Sequence, residues 1–327
     1  MRWPAEWEPH ERTLMGWPCR TELWGGTLEQ ARADYATVAN AIAAFEPVTM
    51  IANPGEQAAQ ARAACTASVV IAELGLDDSW LRDCGPIYIR DGGQGERVAV
   101  HFGFNAWGEK FSPWDRDAAV GRLIAEQLGD QVREAPLVLE GGSVHSDGAG
   151  TILTTEQCLL HPSRNPELSR DQIERGLLEH LAGERVVWLG QGLIEDRDTD
   201  GHVDLIAAPV PDGQVLLQTV SEDNPNFANC QENARRLAEA GLSVIELPYL
   251  PYLEVEGEPV AASYLNLYVC NGGVIVPVAD QPTDEPALAI IRQAFPGREL
   301  VSVPGPVLAY GGGGPHCITQ QIPTRYE

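Results

Sequence analysis

At 327 residues, with 44% hydrophobic and 21% charged residues, the chain has the balance of a globular protein with a sizeable core, which excludes a disordered or fibrous one. Twenty-two basic residues against 47 acidic ones leave a formal charge of −25, which argues against nucleic acid and anionic membrane surfaces as partners. Seven scattered cysteines, odd in number and without a C-x-x-C pair, read as free thiols in a reducing compartment and not as zinc ligands or a disulfide frame.

The segment Met1 to Arg12 carries prolines and charges where a secretory leader needs an apolar run, and no stretch is apolar for long enough to span a bilayer, so a cytoplasmic location is expected. Five stretches then share one plan: a β-branched strand, a turn rich in Pro, Asn, Asp or Glu, an alanine-rich helix and a second apolar strand. The first runs from Val48–Ala52 through a helix ending near Ala64 to Ser68–Leu74, and the second from Val98–Phe102 through Arg116–Leu128 to Pro136–Leu139. The third joins Thr151–Thr154, Asp171–Leu181 and Arg185–Leu189, and the fourth Val215–Leu217, Cys230–Ala240 and Ser243–Ile245. The fifth joins Gly273–Val276, Glu285–Phe295 and Glu299–Val303. Repetition at roughly 50 to 60 residues predicts an α/β fold of ββαβ-type repeats set around an axis, not an open doubly wound sheet.

Polar clusters follow four of these units. Trp80-Leu81-Arg82-Asp83-Cys84-Gly85-Pro86 follows the first, Glu140-Gly141-Gly142-Ser143 the second, and Asp198-Thr199-Asp200-Gly201-His202-Val203-Asp204 the third. Gly311-Gly312-Gly313-Gly314-Pro315-His316-Cys317 follows the fifth. Equivalent points of repeated units converge on a common axis, so these clusters can build one site. Glycines clear space beside Cys317 for an attacking thiol. His202 and Asp204 point to one face if they lie on a strand, which makes His202 the acid–base candidate, whereas His316 would point away from Cys317. A thiol facing several acids implies a cationic substrate. A planar guanidinium fits best, because it answers two carboxylates with forked hydrogen bonds and, as a cation, lowers the thiol pKa. Asp198, Asp200, His202 and Asp204 also permit a Mn²⁺ or Ca²⁺ site and hence a metal-dependent hydrolase. A guanidinium-binding protein without turnover is the third reading. The glycine run lacks the Lys-Ser/Thr that a phosphate loop requires.

These motifs resemble the agmatine deiminase family, with its peptidyl-arginine deiminase-like members, over nearly the whole chain. The likeness rests on Trp3-Pro4-Ala5-Glu6-Trp7-Glu8-Pro9-His10 with Met15-Gly16-Trp17-Pro18, on the clusters at Arg82, Glu140 and Asp198, on Ser263-Tyr264-Leu265-Asn266 with Asn271-Gly272-Gly273, and on His316-Cys317-Ile318-Thr319. The resemblance implies a five-bladed α/β-propeller over residues 1–327 as one guanidine-deiminase domain, without metal or organic cofactor. It implies that Cys317 attacks the guanidinium carbon, Asp83 and Asp204 grip its nitrogens, and Glu140 orients and charges His202. Agmatine is the expected substrate, and free arginine, peptidyl-arginine or another alkylguanidine the alternative. Trp80 and Gly314 are expected to line the pocket, although Trp80 on its own residue type reads as packing, and a homodimer is compatible with such a chain. Two departures from the family pattern, Gly314-Pro315 ahead of His-Cys and Leu205 after Gly-His-Val-Asp, bear on substrate choice.

Overall fold

The computed structural model describes residues 1–91 and 95–325. Four of its sheets share one construction, in which a short strand pairs antiparallel with the next strand, and a helix then returns the chain to a third strand parallel to the second. Ile87–Arg90, Arg97–Gly103 and Gln131–Val138 form one, with helix Asp115–Gln127 on the crossover. Val144–Ser146, Thr151–Thr155 and Arg185–Leu189 form the next, around helix Arg170–His180. Ala207–Pro209, Val215–Gln218 and Val244–Leu247 follow with helix Phe227–Glu239, and Tyr268–Cys270, Gly273–Val278 and Glu299–Pro304 with helix Asp284–Ala294.

The remaining large sheet is assembled from distant parts of the chain. Strand Thr319–Pro323 pairs antiparallel with His10–Gly16, helix Leu28–Ile42 leads to the parallel strand Val48–Ala52, and helix Glu56–Ala64 adds a further parallel strand, Val69–Glu73. The first repeat therefore differs from its sequence reading. The strand–helix–strand from Val48 to Glu73 is present, but it extends a sheet whose leading pair joins residues from opposite regions of the sequence. A separate hairpin, Tyr252–Val255 with Glu258–Ala261, was not anticipated.

Local sequence explains these elements. Val48–Ala52 is buried at every position because it lies between two neighbours in its sheet with helices against it, so it reads as a continuous apolar run and not as an alternation. Helix Arg170–His180 starts on a reciprocal Ser169–Gln172 capping box and buries Ile173 and Leu177, four residues apart, on one face. Gly176 on that helix sits where a Cβ would meet Leu137 at 2.6 Å, so the missing side chain sets how closely helix and sheet approach. The apolar core is divided into clusters beneath the helices, and buried polar residues lie between them. Among the described residues no helix is long and apolar enough to cross a membrane.

Candidate active site

Each large sheet delivers its polar residue from the same place, the turn just before its first strand. Asp83 lies on the short helix Leu81–Cys84 ahead of Ile87, Glu140 precedes the 3-10 turn Gly141–Ser143 ahead of Val144, and His202 and Asp204 flank the start of the 3-10 turn Val203–Leu205 ahead of Ala207. Asn266 precedes Tyr268, and Cys317 precedes Thr319. Repetition of one fold unit thus converts residues far apart in sequence into neighbours. His202 and Asp204 are not on a strand as anticipated; the 3-10 turn brings both side chains inward instead.

The sulfur of Cys317 is the centre of the group. Asn266 Nδ2 donates to it at 3.1 Å, the thiol donates to Asp204 Oδ2 at 3.3 Å, and Asn266 Oδ1 accepts the Cys317 amide at 3.1 Å. His202 is fully buried, with Nδ1 3.8 Å from Asp83 Oδ1 and Nε2 3.9 Å from Glu140 Oε2. Glu140 is anchored in turn by Arg164, whose Nε donates at 2.6 Å. Asp83 accepts the Gly142 amide on Oδ1 and the Trp107 indole N–H on Oδ2, each at 2.9 Å. Gly142 has a steric reason to be glycine, since a Cβ there would lie 2.6 Å from His202 Nδ1 and 2.9 Å from Asp83 Oδ1 and Asp204 Oδ2.

Trp107 reaches Asp83 from an unusual turn. Ala106, Trp107 and Glu109 take φ of 52°, 56° and 63°, a left-handed conformation that costs ordinary residues about 1–2 kcal/mol each. The turn is held by Asn105 Oδ1, which accepts the Gly108 amide at 2.9 Å, and by the Lys110–Asp200 ion pair at 2.8 Å.

Burial and mutual repulsion set the protonation states. Desolvation, with the Asp204 and Glu140 charges, pushes Asp83 up to about 6 against the opposing pull of His202. Burial would raise Asp204 too, but His316 and His202 outweigh it and hold that carboxyl down at about 2. Burial alone would make His202 less basic; the charge of Asp83, with Cys158 and Glu140, reverses this and holds it as imidazolium well above its usual range. Desolvation, then Asp204 and Asp83, push the Cys317 thiol well above the ordinary range. The free site therefore stores a thiol, an imidazolium and two carboxyls of unequal acidity. A cation placed against Asp83 and Asp204 cancels the repulsion that keeps Cys317 protonated.

Asp83 and Cys317 line a small cavity with Trp80, Trp107, Phe111 and Leu23, and with Gly311, Gly312, Asp198 and Thr199. His202, Glu140 and Asp204 lie fully buried behind them. Trp80 both packs and lines, stacking on Trp24 at 5.8 Å while facing the cavity. Gly314 is set back from the cavity against Asn266, where a Cβ would sit 2.9 Å from Oδ1, and Gly311 and Gly312 are the glycines that line it instead. The glycine run does not leave the thiol open: Cys317 is 3% exposed, and a Cβ on Gly313 would be 2.7 Å from its sulfur. Beside the cavity, sharing Asp198 and Gly312, lies a wider depression of about 430 Å³ that also includes Leu205.

Asp198, Asp200, His202 and Asp204 are not gathered as a metal site. Asp200 is taken by Lys110 and Arg164, and Asp198 lines the cavity. Among the described residues the one group of three with ligand atoms within 4.8 Å of one another is Glu140, Cys158 and His202, and the Arg164 cation already on Glu140 opposes a second cation there. Asn266, Arg164, Trp107 and His316 were not singled out as site residues from sequence. Asn266 had a legible signal, because repetition called for a polar cluster ahead of the fifth unit and Ser263-Tyr264-Leu265-Asn266 stands at that point.

The chain is similar to known proteins along almost its whole length. A family model described as Porphyromonas-type peptidyl-arginine deiminase matches residues 2–323. An agmatine deiminase from Pseudomonas aeruginosa (strain LESB58) is 42% identical over 98% of this chain and 95% of its own length. The solved structure of the agmatine deiminase of Enterococcus faecalis superposes with a TM-score of 0.93 at 35% identity, covering 99% of this chain and 96% of that one. The agmatine deiminase of C. jejuni with substrate bound superposes at 0.92 and 26% identity, covering 100% and 97%. The α/β fold with mixed sheets is the one those structures have.

Proposed function

The chain belongs to the Porphyromonas-type peptidyl-arginine deiminase family, and from that membership we propose that it hydrolyses agmatine to N-carbamoylputrescine and ammonia through a covalent intermediate on Cys317. The observation that carries the reading is the convergence of Cys317, His202, Asp83, Asp204 and Glu140 from equivalent turns of the repeats. Five such sheets support a single domain arranged as a five-bladed propeller. Seven free cysteines suit a reducing, cytoplasmic setting.

The chemistry follows from the protonation states. Asp83 and Asp204 take the guanidinium nitrogens, and the thiol proton is lost to solvent as the cation arrives. The thiolate forms a bond to the guanidinium carbon. The bond to one terminal nitrogen then breaks, and His202 gives its proton to that nitrogen, which leaves as ammonia. Water attacks the resulting amidino thioether and yields a proton to the now neutral His202. The carbon–sulfur bond breaks as the new hydroxyl on carbon gives up its proton to solvent, thiolate is regenerated, and the neutral ureido product departs. Glu140, held by Arg164, orients His202 and, with Asp83, favours its charged form at the start of each cycle.

Agmatine is favoured over arginine because none of the described residues lining the small cavity is basic and Asp198 is among them, so an α-carboxylate within it would meet an acid, Arg197 lying in the adjoining depression. In a panel of agmatine, free arginine and an arginyl peptide, kcat/KM for agmatine should exceed the others by at least about a hundredfold. Equal turnover of arginine would overturn the substrate assignment; failure to release ammonia from any of the three would overturn the deiminase reading.

The pH dependence has a definite sign. Asp83 is raised to about 6, so it is neutral below that pH and cannot hold a cation, whereas Asp204 at about 2 stays ionised. We expect kcat/KM for agmatine to fall with one-proton slope as pH drops through about 6, and Asp83→Asn to lose this limb along with most activity.

A further inference from the structure

Behind the reacting groups Asp204 belongs to a buried charged cluster whose other members the deimination steps do not use. His316 Nδ1 is 2.8 Å from Asp204 Oδ2, and on the ring's other side Nε2 is 2.9 Å from Glu6 Oε2, an ionic contact too oblique for a hydrogen bond. The three side chains are all but inaccessible, at 2%, 7% and 0% exposure for His316, Glu6 and Asp204. A neutral imidazole offers one N–H and one lone pair, and its lone pair would face a carboxylate oxygen at close range. With both nitrogens protonated, each faces an anion.

We infer that His316, held as an imidazolium between Glu6 and Asp204, is a positioning residue for the reaction: it occupies Asp204 Oδ2 and keeps that carboxylate ionised, leaving Oδ1 for a guanidinium N–H. This rests on the deiminase reading above. Asp204 Oδ1 is buried and has no hydrogen-bond partner, so one oxygen of a fixed carboxylate is available to a ligand. The same Oδ2 that His316 holds also accepts from the Cys317 thiol, so the histidine fixes the acid relative to the sulfur.

The surroundings are consistent on every side. Arg82, from helix Leu81–Cys84, pairs with Glu6 at 3.0 Å and donates from Nε to the His316 carbonyl at 3.2 Å. Glu6 and Asp204 thus balance Arg82 and His316 as two anions and two cations. His145, from strand Val144–Ser146, has its ring 4.8 Å from that of His316 and is pushed down to about 3 by burial and by the His316 charge, so it stays neutral and does not compete. His202 and Asp83 face Asp204 from the reacting side. His316 itself is shifted upward, because Glu6 and Asp204 outweigh burial and Arg82.

The test combines two readouts on the full chain. In the wild type, ¹⁵N shifts of the His316 ring should report imidazolium throughout pH 6 to 9; a neutral ring at pH 7 overturns the assignment. In His316→Gln, which can still donate one hydrogen bond to Asp204 but carries no charge, the acid limb of kcat/KM for agmatine should move up by about one pH unit or more and steepen from one proton to two. The loss should fall mainly on KM, as expected for a weakened grip. Glu6→Gln, which removes the other carboxylate from the ring, should move the limb the same way by less. Folded variants that lose activity equally at every pH, with the limb in place, would reduce His316 to a packing role and overturn the inference. A wild-type chain that releases no ammonia overturns the deiminase reading and this role with it, whereas an unmoved limb in active variants overturns the role of His316 alone.

Discussion

Replacing Cys317 by alanine is expected to lower kcat for ammonia release from agmatine by at least about 10⁴-fold while changing agmatine affinity by less than about tenfold. The sulfur is a nucleophile in contact with both Asn266 and Asp204, and it lines the cavity that Asp83 shares. Without it, the carboxylates that grip a cation remain, so binding persists and the reaction stops at the bound substrate. Calorimetric titration of the variant, set beside single-turnover ammonia release, separates the two effects. Intact-mass measurement of the acid-quenched wild type should show an amidine adduct confined to the peptide that carries Cys317. A variant retaining a hundredth of wild-type turnover would mean that another group or a bound water attacks the carbon, and the covalent route would have to be abandoned.

Exchanging His202 for asparagine should reduce kcat by about 10²- to 10⁴-fold, the range that general acid–base groups supply. Two steps depend on this one ring. As an imidazolium it protonates the departing nitrogen, and as a neutral base it activates water. Its nitrogens stand 3.8 and 3.9 Å from Asp83 and Glu140 without hydrogen-bond partners, close enough to feel both charges yet not committed to either. The variant should also show a higher acid limb in kcat/KM, because the His202 charge is what restrains the burial-driven rise of Asp83. Steady-state rates from pH 5 to 9 check both effects. Retention of activity within tenfold would transfer the acid–base role elsewhere, and loss without movement of the limb would detach Asp83 from His202.

The crossover parts of the repeats were legible because each combines an apolar strand with a helix of amphipathic pattern, as in Gly273–Val278 and Asp284–Ala294. The leading strands were not. Val144–Ser146, Ala207–Pro209 and Tyr268–Cys270 span only three residues each, too few to display a period, and they are defined by the partner they pair with. His10–Gly16, with His, Glu, Arg and Thr among its seven residues, looks polar because its pairing partners lie far away in the sequence. The site shows the same division. Cys317, His202 and the carboxylates carry their chemistry in their side-chain types, and repetition placed them together. Arg164, Trp107 and Glu6 act only through what they touch, and contacts such as Arg164 on Glu140 have no local signature. His316 is expected to point away from Cys317 on an extended backbone; the two lie in a turn instead, and both side chains reach Asp204 Oδ2.

The pairing of Thr319–Pro323 with His10–Gly16 has a consequence for biosynthesis. A growing polypeptide displays the edge of His10–Gly16, the carboxylate of Glu6 and the acids of the middle repeats well before the ribosome has reached the cysteine. Until then the nascent molecule lacks the nucleophile and the histidine that holds Asp204, and its opening sheet lacks a strand. Translation of the residues around Cys317 supplies, in one stretch, the nucleophile, the imidazolium that faces Glu6 and the strand that completes that sheet. The nucleophile and the strand that closes the N-terminal sheet thus arrive together, and chains interrupted upstream of that stretch would be both inert and left with an unpaired β-edge open to pairing with other chains.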